Sequence, residues 1–166
     1  MPDRHEIIRQ AHALDVPMLR KIVLDTLSEI HFEEDPDGNH AELKDPMKTY
    51  CEDNGLLDVL TQCDRVVGFI GLIPVDHLTI ELRKLYVNKE VRGCGYGGKL
   101  LDHAVEWSIR RNYRWMILQT STRLKHAGAL YQSRGFAITQ GPSRGKDCDQ
   151  LMQLDLQRCI CLLYTS

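Results

Sequence analysis

The chain carries one glycine-rich stretch, Arg92-Gly93-Cys94-Gly95-Tyr96-Gly97-Gly98-Lys99, which holds four of its 12 glycines. A predicted strand precedes this stretch, and a strongly amphipathic segment at 97–111 follows it. Glycine lets backbone N–H groups approach a ligand, and the start of a helix adds partial positive charge. The stretch therefore predicts an anion site, typically for phosphate, where a strand meets a helix. A tight turn without a ligand is the alternative interpretation.

Three phosphate-binding patterns compete for this stretch. The nucleoside-triphosphate loop has the right glycine spacing, but Leu100 stands where a Ser or Thr hydroxyl must bind magnesium. The dinucleotide fingerprint is matched by its glycines, but it needs an acidic residue about 20 positions further on. Residues 115–120 hold no acid. A nucleotide-binding oxidoreductase is therefore a weak alternative.

The third pattern is Arg/Gln-x-x-Gly-x-Gly/Ala, matched by Arg92, Gly95 and Gly97. Further along, Ala127-Gly-Ala-Leu130-Tyr131-Gln-Ser-Arg-Gly135-Phe136 matches Ala-x-x-Leu-Tyr-x-x-x-Gly-Phe. The two motifs, in this order and separated by one strand, resemble the GCN5-related N-acetyltransferase (GNAT) family. By element order the resemblance extends over residues 5–156. One departure is Leu124, where many members carry an Asn that contacts pantetheine.

Hydrophobic periodicity and turn residues predict an α/β chain. The predicted elements, in chain order, are a strand at 6–11, a helix capped by Asp15, a helical stretch at 47–54, a hairpin of 56–62 and 66–73, a strand at 79–87, a helix at 97–111, a strand at 115–119, a helix at 125–134, and strands at 136–139 and 150–156. The resemblance implies the GNAT fold: a mixed, mostly antiparallel central sheet of about six or seven strands flanked by about four helices. We expect a single N-acetyltransferase domain over 1–157. The segment 158–166 fits no part of this pattern, and we expect it to lie outside the fold.

The resemblance implies acetyl-CoA as the donor and no metal. The backbone amides of the glycine-rich stretch would hold the pyrophosphate; these residues are Arg92, Gly93, Cys94, Gly95, Tyr96, Gly97 and Gly98. The backbone of Leu85, Tyr86 and Val87 would pair with the pantetheine arm like an added strand. The Arg92 side chain either contacts phosphate or is a solvated cation.

The resemblance also implies catalytic roles. Tyr131 matches the tyrosine that protonates or hydrogen-bonds the departing thiolate. Glu81, eleven residues before Arg92, is at the spacing of a general-base glutamate, with His77 and a water chain as alternative bases. The alternative interpretation of Glu81 is a solvated carboxylate that pairs with Arg83 or Lys84. A backbone N–H near Val87 would stabilise the developing oxyanion. The reaction would transfer acetyl directly to a primary amine of a small molecule or peptide. A non-catalytic acyl-CoA-binding module of the same fold is the alternative.

The charge distribution is uneven. Residues 1–82 hold 7 Lys/Arg and 17 Asp/Glu, whereas residues 83–166 hold 14 and 6. The halves either bind ligands of opposite sign or attract each other. Acidic residues after the first helix predict either a cationic acceptor or a loop of solvated carboxylates that never meets the substrate; they are Glu33, Glu34, Asp35, Asp37, Glu42 and Asp45.

Composition sets further expectations. The chain has no apolar run of about 20 residues and no apolar stretch behind its charged first residues, so we expect neither a membrane span nor a secretory signal. Its six cysteines fit reduced cytoplasmic thiols rather than disulfides. The basic half lacks the interleaved aromatics of a nucleic-acid surface. A homodimer is left open.

Overall fold

The computed structural model describes residues 5–33, 40–142 and 147–164. The strands are β1 (Glu6–Gln10), β2 (Leu56–Gln62), β3 (Arg65–Pro74), β4 (Thr79–Val87), β5 (Trp115–Thr120), β6 (Ala137–Thr139) and β7 (Gln150–Asp155). The helices are α1 (Val16–Glu29), α2 (Tyr96–Arg110), α3 (Lys125–Ser133) and α4 (Leu156–Tyr164). The predicted stretch at 47–54 contains one turn of π-helix, Lys48–Glu52. No helix among these residues is long and apolar enough to cross a membrane.

The strands form one seven-stranded sheet in the order β1-β2-β3-β4-β5-β7-β6. Five of its neighbouring pairs are antiparallel, and β4 with β5 is parallel. The expectation of a mixed, mostly antiparallel sheet with flanking helices is confirmed. A parallel pair requires a crossover, which α2 supplies on the way from β4 to β5.

The parallel pair of strands separates partway along its length. Backbone pairing between β4 and β5 runs only from Thr79–Trp115 to Leu82–Leu118. Beyond Leu82, no described strand pairs with that edge of β4. We call this the open edge. Because α2 follows β4 and α3 follows β5, both helix starts lie at the end of the sheet where the strands separate.

The open edge begins at a β-bulge. Gly71 of β3 pairs with Lys84, and its neighbour Leu72 pairs with Leu82, so Arg83 is the extra residue. A bulge changes which face of the sheet the following side chains occupy. Arg83 and Lys84 are the first two residues of β4 beyond its pairing with β5.

Each face of the sheet has its own core. On one face α2, α3 and α4 cover a cluster that includes Leu82, Leu100 and Met116. On the other face α1 and the π-helical turn cover a cluster around Leu19, Tyr50 and Phe69. Strands buried on both faces agree with the near-continuous apolar runs of β2 and β3.

Two local expectations differ from the structure. Asp15 does not cap α1 with its side chain; its carboxylate accepts hydrogen bonds from the His12 N–H (2.9 Å) and from Arg9 (2.8 and 3.0 Å). Asp15 is the last residue of a short 3-10 turn that precedes α1, so its carboxylate lies near residues earlier in the chain. The segment 158–166, expected outside the fold, continues α4 as far as Tyr164. Cys159 there packs against the core that α2 covers.

Candidate functional site

The four glycines of the glycine-rich stretch form two pairs that serve different structural purposes. Gly93 and Gly95 both have φ of +82°, and a Cβ at either position would meet no atom within 4 Å. These two glycines therefore serve the left-handed backbone and leave open space beside the loop. A Cβ at Gly98 would lie 2.6 Å from Arg134 Nη2, and one at Gly97 would lie 3.4 Å from Leu130 Cδ2. The second pair thus permits the close approach of α3.

The start of α2 is anchored to the first two strands. The Tyr96 hydroxyl accepts a hydrogen bond from Gln62 Nε2 (2.9 Å) and donates one to Glu6 Oε1 (2.8 Å). Lys99 forms an ion pair with the same Glu6. The first N–H groups of a helix have no partner within it. The first turn of α2 is therefore held rigidly, with those N–H groups available to an anion.

The Arg92 side chain is 42% exposed, and its guanidinium also contacts protein atoms. Nη1 contacts Glu29 Oε2 at 2.6 Å, and Nη2 contacts Thr26 Oγ1 at 3.2 Å. Nε donates to the carbonyl oxygen of Val87 at 3.3 Å. Arg92 thereby connects the glycine-rich loop to the end of α1 and to the end of β4.

The backbone of β4 presents alternate residues to the open edge. The N–H of Asn88 donates to Val67 of β3 at 2.7 Å, and Val87 pairs with Gly68. Because N–H groups alternate along a strand, the backbone of Val87 points to the open edge. By the same alternation Leu85 points there, whereas Tyr86 points to β3. Of the three residues expected to pair with a pantetheine arm, Leu85 and Val87 direct their backbone groups to the open edge, and the Val87 carbonyl oxygen there accepts the hydrogen bond from Arg92 Nε.

Tyr131 lies on α3 and is 7% exposed. Its ring packs against Phe136, with centroids 5.7 Å apart. Among the described residues its hydroxyl has no hydrogen-bond partner. Burial raises the pKa of Tyr131, and nearby Tyr86 adds to the rise, while burial also raises the pKa of Tyr86 to about 12. Tyr131 is therefore a neutral phenol at physiological pH with its proton uncommitted.

Glu81 lies on the opposite face of β4 from Leu82 and is 4% exposed. Its backbone is still paired on both sides, with Ile73 and Ile117, so it precedes the open edge. Arg83 Nη1 contacts Glu81 Oε2 at 3.4 Å. His77, the alternative base, lies exposed in the turn before β4, at the other end of that strand. The fold thus separates His77 from the open edge.

A buried charge cluster surrounds the start of the open edge, and sequence reasoning missed the part that Glu42 plays in it. It comprises Glu42, Glu81, Arg83 and Lys84. Arg83 binds Glu42 Oε1 through Nε (2.7 Å) and Nη2 (2.5 Å), and Lys84 Nζ lies 3.4 Å from Glu42 Oε2. Burial lowers the pKa of Lys84, with the charge of Glu42 opposing this effect. The available signal was three charged residues, Glu81, Arg83 and Lys84, close together in a strand whose other residues are mostly apolar.

The acidic segment after α1 is not uniform. Glu42 is buried in the charge cluster, whereas Glu33 and Asp45 are exposed. Asp45 accepts a hydrogen bond from the Lys48 N–H at 3.1 Å. The other three predicted acidic residues, 34, 35 and 37, lie outside the described residues. Within the described ranges, no three His, Cys, Asp or Glu side chains are grouped to hold a metal.

Solved structures with the same architecture define the class of fold. An acetyltransferase of the GNAT family from Staphylococcus aureus Mu50 matches with a TM-score of 0.85 and 22% identity, over 91% of this chain and 99% of that chain. The yncA structure from Salmonella typhimurium, solved with its cofactor acetyl-CoA, matches with a TM-score of 0.72 and 21% identity, over 91% and 94%. The fold is therefore that of the GNAT acetyltransferases.

Sequence comparison identifies the family. The model of the Acetyltransferase (GNAT) family matches residues 20–136, and the chain belongs to this family. Human N-acetyltransferase 8 is 32% identical over 105 residues, covering 60% of this chain and 46% of that protein. The uncharacterized N-acetyltransferase YjgM of Escherichia coli K12 is 26% identical over 158 residues, covering 90% and 95%. The matched regions span about half the length of the first curated relatives. The resemblance inferred from the two motifs is confirmed.

Proposed function

We propose that this protein transfers the acetyl group of acetyl-CoA directly to a primary amine. One observation carries the proposal: the open edge of β4 ends at a glycine-rich loop that leads into the N-terminus of α2, where a helix presents backbone N–H groups to an anion. Coenzyme A combines an extended amide-containing arm with a pyrophosphate, so it needs both features side by side. The absence of Cβ contacts at Gly93 and Gly95 leaves room for phosphate oxygens. The residues present therefore fit this donor.

Each part of the chain has one task in the proposed reaction. The amides at the start of α2 bind the pyrophosphate, and the backbone of Leu85 and Val87 pairs with the pantetheine arm. The Val87 N–H, which points to the open edge, donates to the thioester carbonyl oxygen as negative charge develops there. Tyr131 gives its proton to the departing thiolate. Such a proton transfer contributes about 10²–10⁴-fold in rate.

The amine must lose a proton before it attacks. We assign this step to Glu81, which is buried beside the start of the open edge. The acceptor approaches on the face of the sheet that carries Glu81 and the charge cluster. A cationic acceptor is part of this proposal, supported by the exposed Glu33 and by the net −10 of residues 1–82. The acceptor in this proposal is a small molecule or a peptide. The formation of a homodimer and a cytoplasmic location remain predictions.

A turnover screen tests the proposal. Purified protein is given acetyl-CoA with polyamines, aminoglycosides, amino acids and peptides, and free thiol release is measured beside mass spectrometry of the acceptor. We expect an N-acetylated product from at least one amine and loss of turnover in Glu81→Gln, with acetyl-CoA binding retained. Acetyl-CoA binding without product from any amine would favour the non-catalytic module instead. Tighter binding of NAD than of coenzyme A would contradict both.

A further inference from the structure

Strands β5 and β7 present a group of side chains on the face of the sheet that carries Glu81. On the opposite face, Met116 and Leu118 of β5 are buried in the core that α2 covers. Met152 and Leu154 of β7 are buried in the same core. Because side chains alternate along a strand, the residues between them point to the Glu81 face. We call these residues the platform; they are Trp115, Ile117, Gln119, Leu151 and Gln153.

The platform belongs to neither hydrophobic core. All of its residues are half-buried, and its apolar members, Trp115, Ile117 and Leu151, pack in neither cluster. The core that α1 covers takes its strand residues from β2, β3 and β4 alone. An apolar surface that the protein does not use for its own packing is typical of a place where a ligand binds.

The platform continues sideways from the start of the open edge. Ile117 pairs with Glu81 of β4 on one side and with Gln153 of β7 on the other. Neighbouring strands are about 4.8 Å apart, so Ile117 lies one such spacing from Glu81 and Gln153 lies about 10 Å from it. Leu151 is two residues along β7 from Gln153, roughly 7 Å towards the end of the sheet where β4 and β5 separate. A molecule that reaches the open edge from this face therefore meets Ile117 and Leu151.

The other surfaces around the start of the open edge are occupied. On the opposite face, α2 and α3 cover the core to which Tyr131 belongs. On the Glu81 face, the charge cluster covers β4, since Arg83 binds both Glu42 and Glu81. An acceptor whose nitrogen lies at the start of the open edge must therefore place its remaining atoms over β5 and β7.

The charges around the platform suit an apolar body rather than a second cation. Strand β5 contains no charged residue, and β7 contains only Asp155. Arg114 binds Asp155 in an ion pair of 3.1 Å, and its guanidinium lies 4.9 Å from the centroid of the Trp115 ring. A second ammonium group would therefore lose water at the platform without gaining a carboxylate of its own.

We propose that the platform binds the apolar body of the acceptor, so that the substrate is a primary monoamine with an alkyl or aryl group about 5–7 Å from its nitrogen. This inference rests on the proposed acetyl transfer and names the substrate class. The nitrogen lies at the start of the open edge, the carbon chain crosses Ile117, and its end contacts Leu151. The positive charge of the acceptor is then confined to the reacting nitrogen.

A series of linear amines tests the proposal in the wild-type protein, with kcat/KM measured for ethylamine, propylamine, butylamine, pentylamine and cadaverine. A fully buried methylene contributes about fourfold. Because one side of the chain faces water on the platform, we expect about twofold per methylene, or about eightfold from ethylamine to pentylamine. Cadaverine has the carbon chain of pentylamine with a second ammonium at its end. It should therefore fall about eightfold below pentylamine, close to ethylamine.

Ile117→Ala removes most of the apolar side chain next to Glu81. We expect the ratio of kcat/KM for pentylamine to that for ethylamine to fall to about twofold, because only the contact with Leu151 is left. The value for ethylamine and the KM for acetyl-CoA should not change. Ile138→Ala is the matched control and should keep the wild-type ratio, since Ile138 is 58% exposed on β6 but pairs with Met152 and so shares the opposite face.

Gln153→Glu tests the placement without removing any packing, since the two side chains have the same shape. Its carboxylate would lie within reach of the second ammonium of cadaverine. An exposed ion pair of this kind should raise kcat/KM for cadaverine about two- to fivefold and leave that for pentylamine unchanged. Gln150→Glu, on the same strand but on the face of Met152, should change neither value.

The outcomes separate this inference from the proposed function. If wild-type protein acetylates amines but shows no gain from ethylamine to pentylamine, or prefers cadaverine to pentylamine, the inference is overturned while the proposed function stands. The same holds if Ile117→Ala and Gln153→Glu both keep the wild-type ratios, since the acceptor body then lies elsewhere. If wild-type protein acetylates no amine in the wider screen, the proposed function fails and the inference fails with it.

Discussion

Removing the Tyr131 hydroxyl should lower kcat and leave the free energy of unfolding almost unchanged. The ring packs against Phe136 and belongs to the core that α2 and α3 share, and Tyr131→Phe keeps all of this packing. The hydroxyl has no hydrogen-bond partner among the described residues, so its removal breaks no hydrogen bond within that part of the chain. We therefore expect the free energy of unfolding to change by less than about 0.5 kcal/mol.

The expected loss lies in kcat. A proton donated to the thiolate in the transition state contributes about 10²-fold or more, which corresponds to about 2.7 kcal/mol. An interaction made only in the transition state lowers kcat and kcat/KM together and leaves ground-state binding intact. Tyr131→Phe should therefore reduce kcat about 100-fold, with the dissociation constant of acetyl-CoA from calorimetry unchanged. Tyr113→Phe, another partly buried tyrosine against the same core, is the matched control and should retain wild-type kcat.

The raised pKa of Tyr131 adds a pH dependence. An ordinary tyrosine loses its proton near pH 10. Since burial raises this pKa, Tyr131 should still act as an acid at pH 10, and its ionisation should not reduce kcat below that value. Tyr131→Phe should therefore be slow by the same factor from pH 7 to pH 10. A variant with wild-type kcat at saturating substrate would refute the assignment, and a weakened acetyl-CoA affinity would show that the hydroxyl acts in binding.

Three further outcomes are expected. Gly95→Val forces a β-branched residue into φ +82° at a cost of about 1–2 kcal/mol or more, so coenzyme A affinity by calorimetry should fall about tenfold; unchanged affinity in a folded variant would contradict the placement. Glu29→Gln releases Arg92 from its 2.6 Å contact, so coenzyme A should bind about two- to fivefold more tightly at low salt, and weaker binding would show that Arg92 serves only to shape the loop. The hydrogen bonds from Arg9 lower the pKa of Asp15, so the ionised carboxylate stabilises the fold above its unfolded pKa of about 3.9; urea unfolding should show Asp15→Asn less stable by about 1–3 kcal/mol at pH 7, with the difference shrinking as the pH falls below about 4, and a pH-independent difference would argue against this pair.

Local pattern was sufficient for the elements that begin and end at strong signals. The hairpin of β2 and β3, strand β4 and helix α2 lie within one residue of their predicted bounds, because apolar periodicity and flanking turn residues act over a few positions. The side chain of Asp15 was expected to cap α1, but it accepts hydrogen bonds from Arg9 and from the His12 N–H instead. Its partner Arg9 is six residues away on β1, and the competing contact depends on how β1 meets α1.

The candidate site divides in the same manner. The position of the glycine-rich loop between β4 and α2, and that of Tyr131 on α3, were predictable, since each belongs to a contiguous motif whose spacing carries the information. The burial of Glu42 was not, because it has no local signature. Glu42 belongs to an acidic run that predicts solvated carboxylates, and only its contact with Arg83, 41 residues later, gives it a buried partner.

The sequence alone determined the order of strands and helices from β1 to β7, the glycine-rich turn between β4 and α2 and the family to which the chain belongs. These depend on side-chain period, glycine content and motif spacing, which are properties of neighbouring residues. Only the tertiary structure decided where β4 separates from β5, that Arg83 is a bulge, and that Arg92 is tied to Glu29. Strand register and ion pairing are set by contacts between segments far apart in the chain, because the free energy of burying a charge depends on which distant partner the fold supplies.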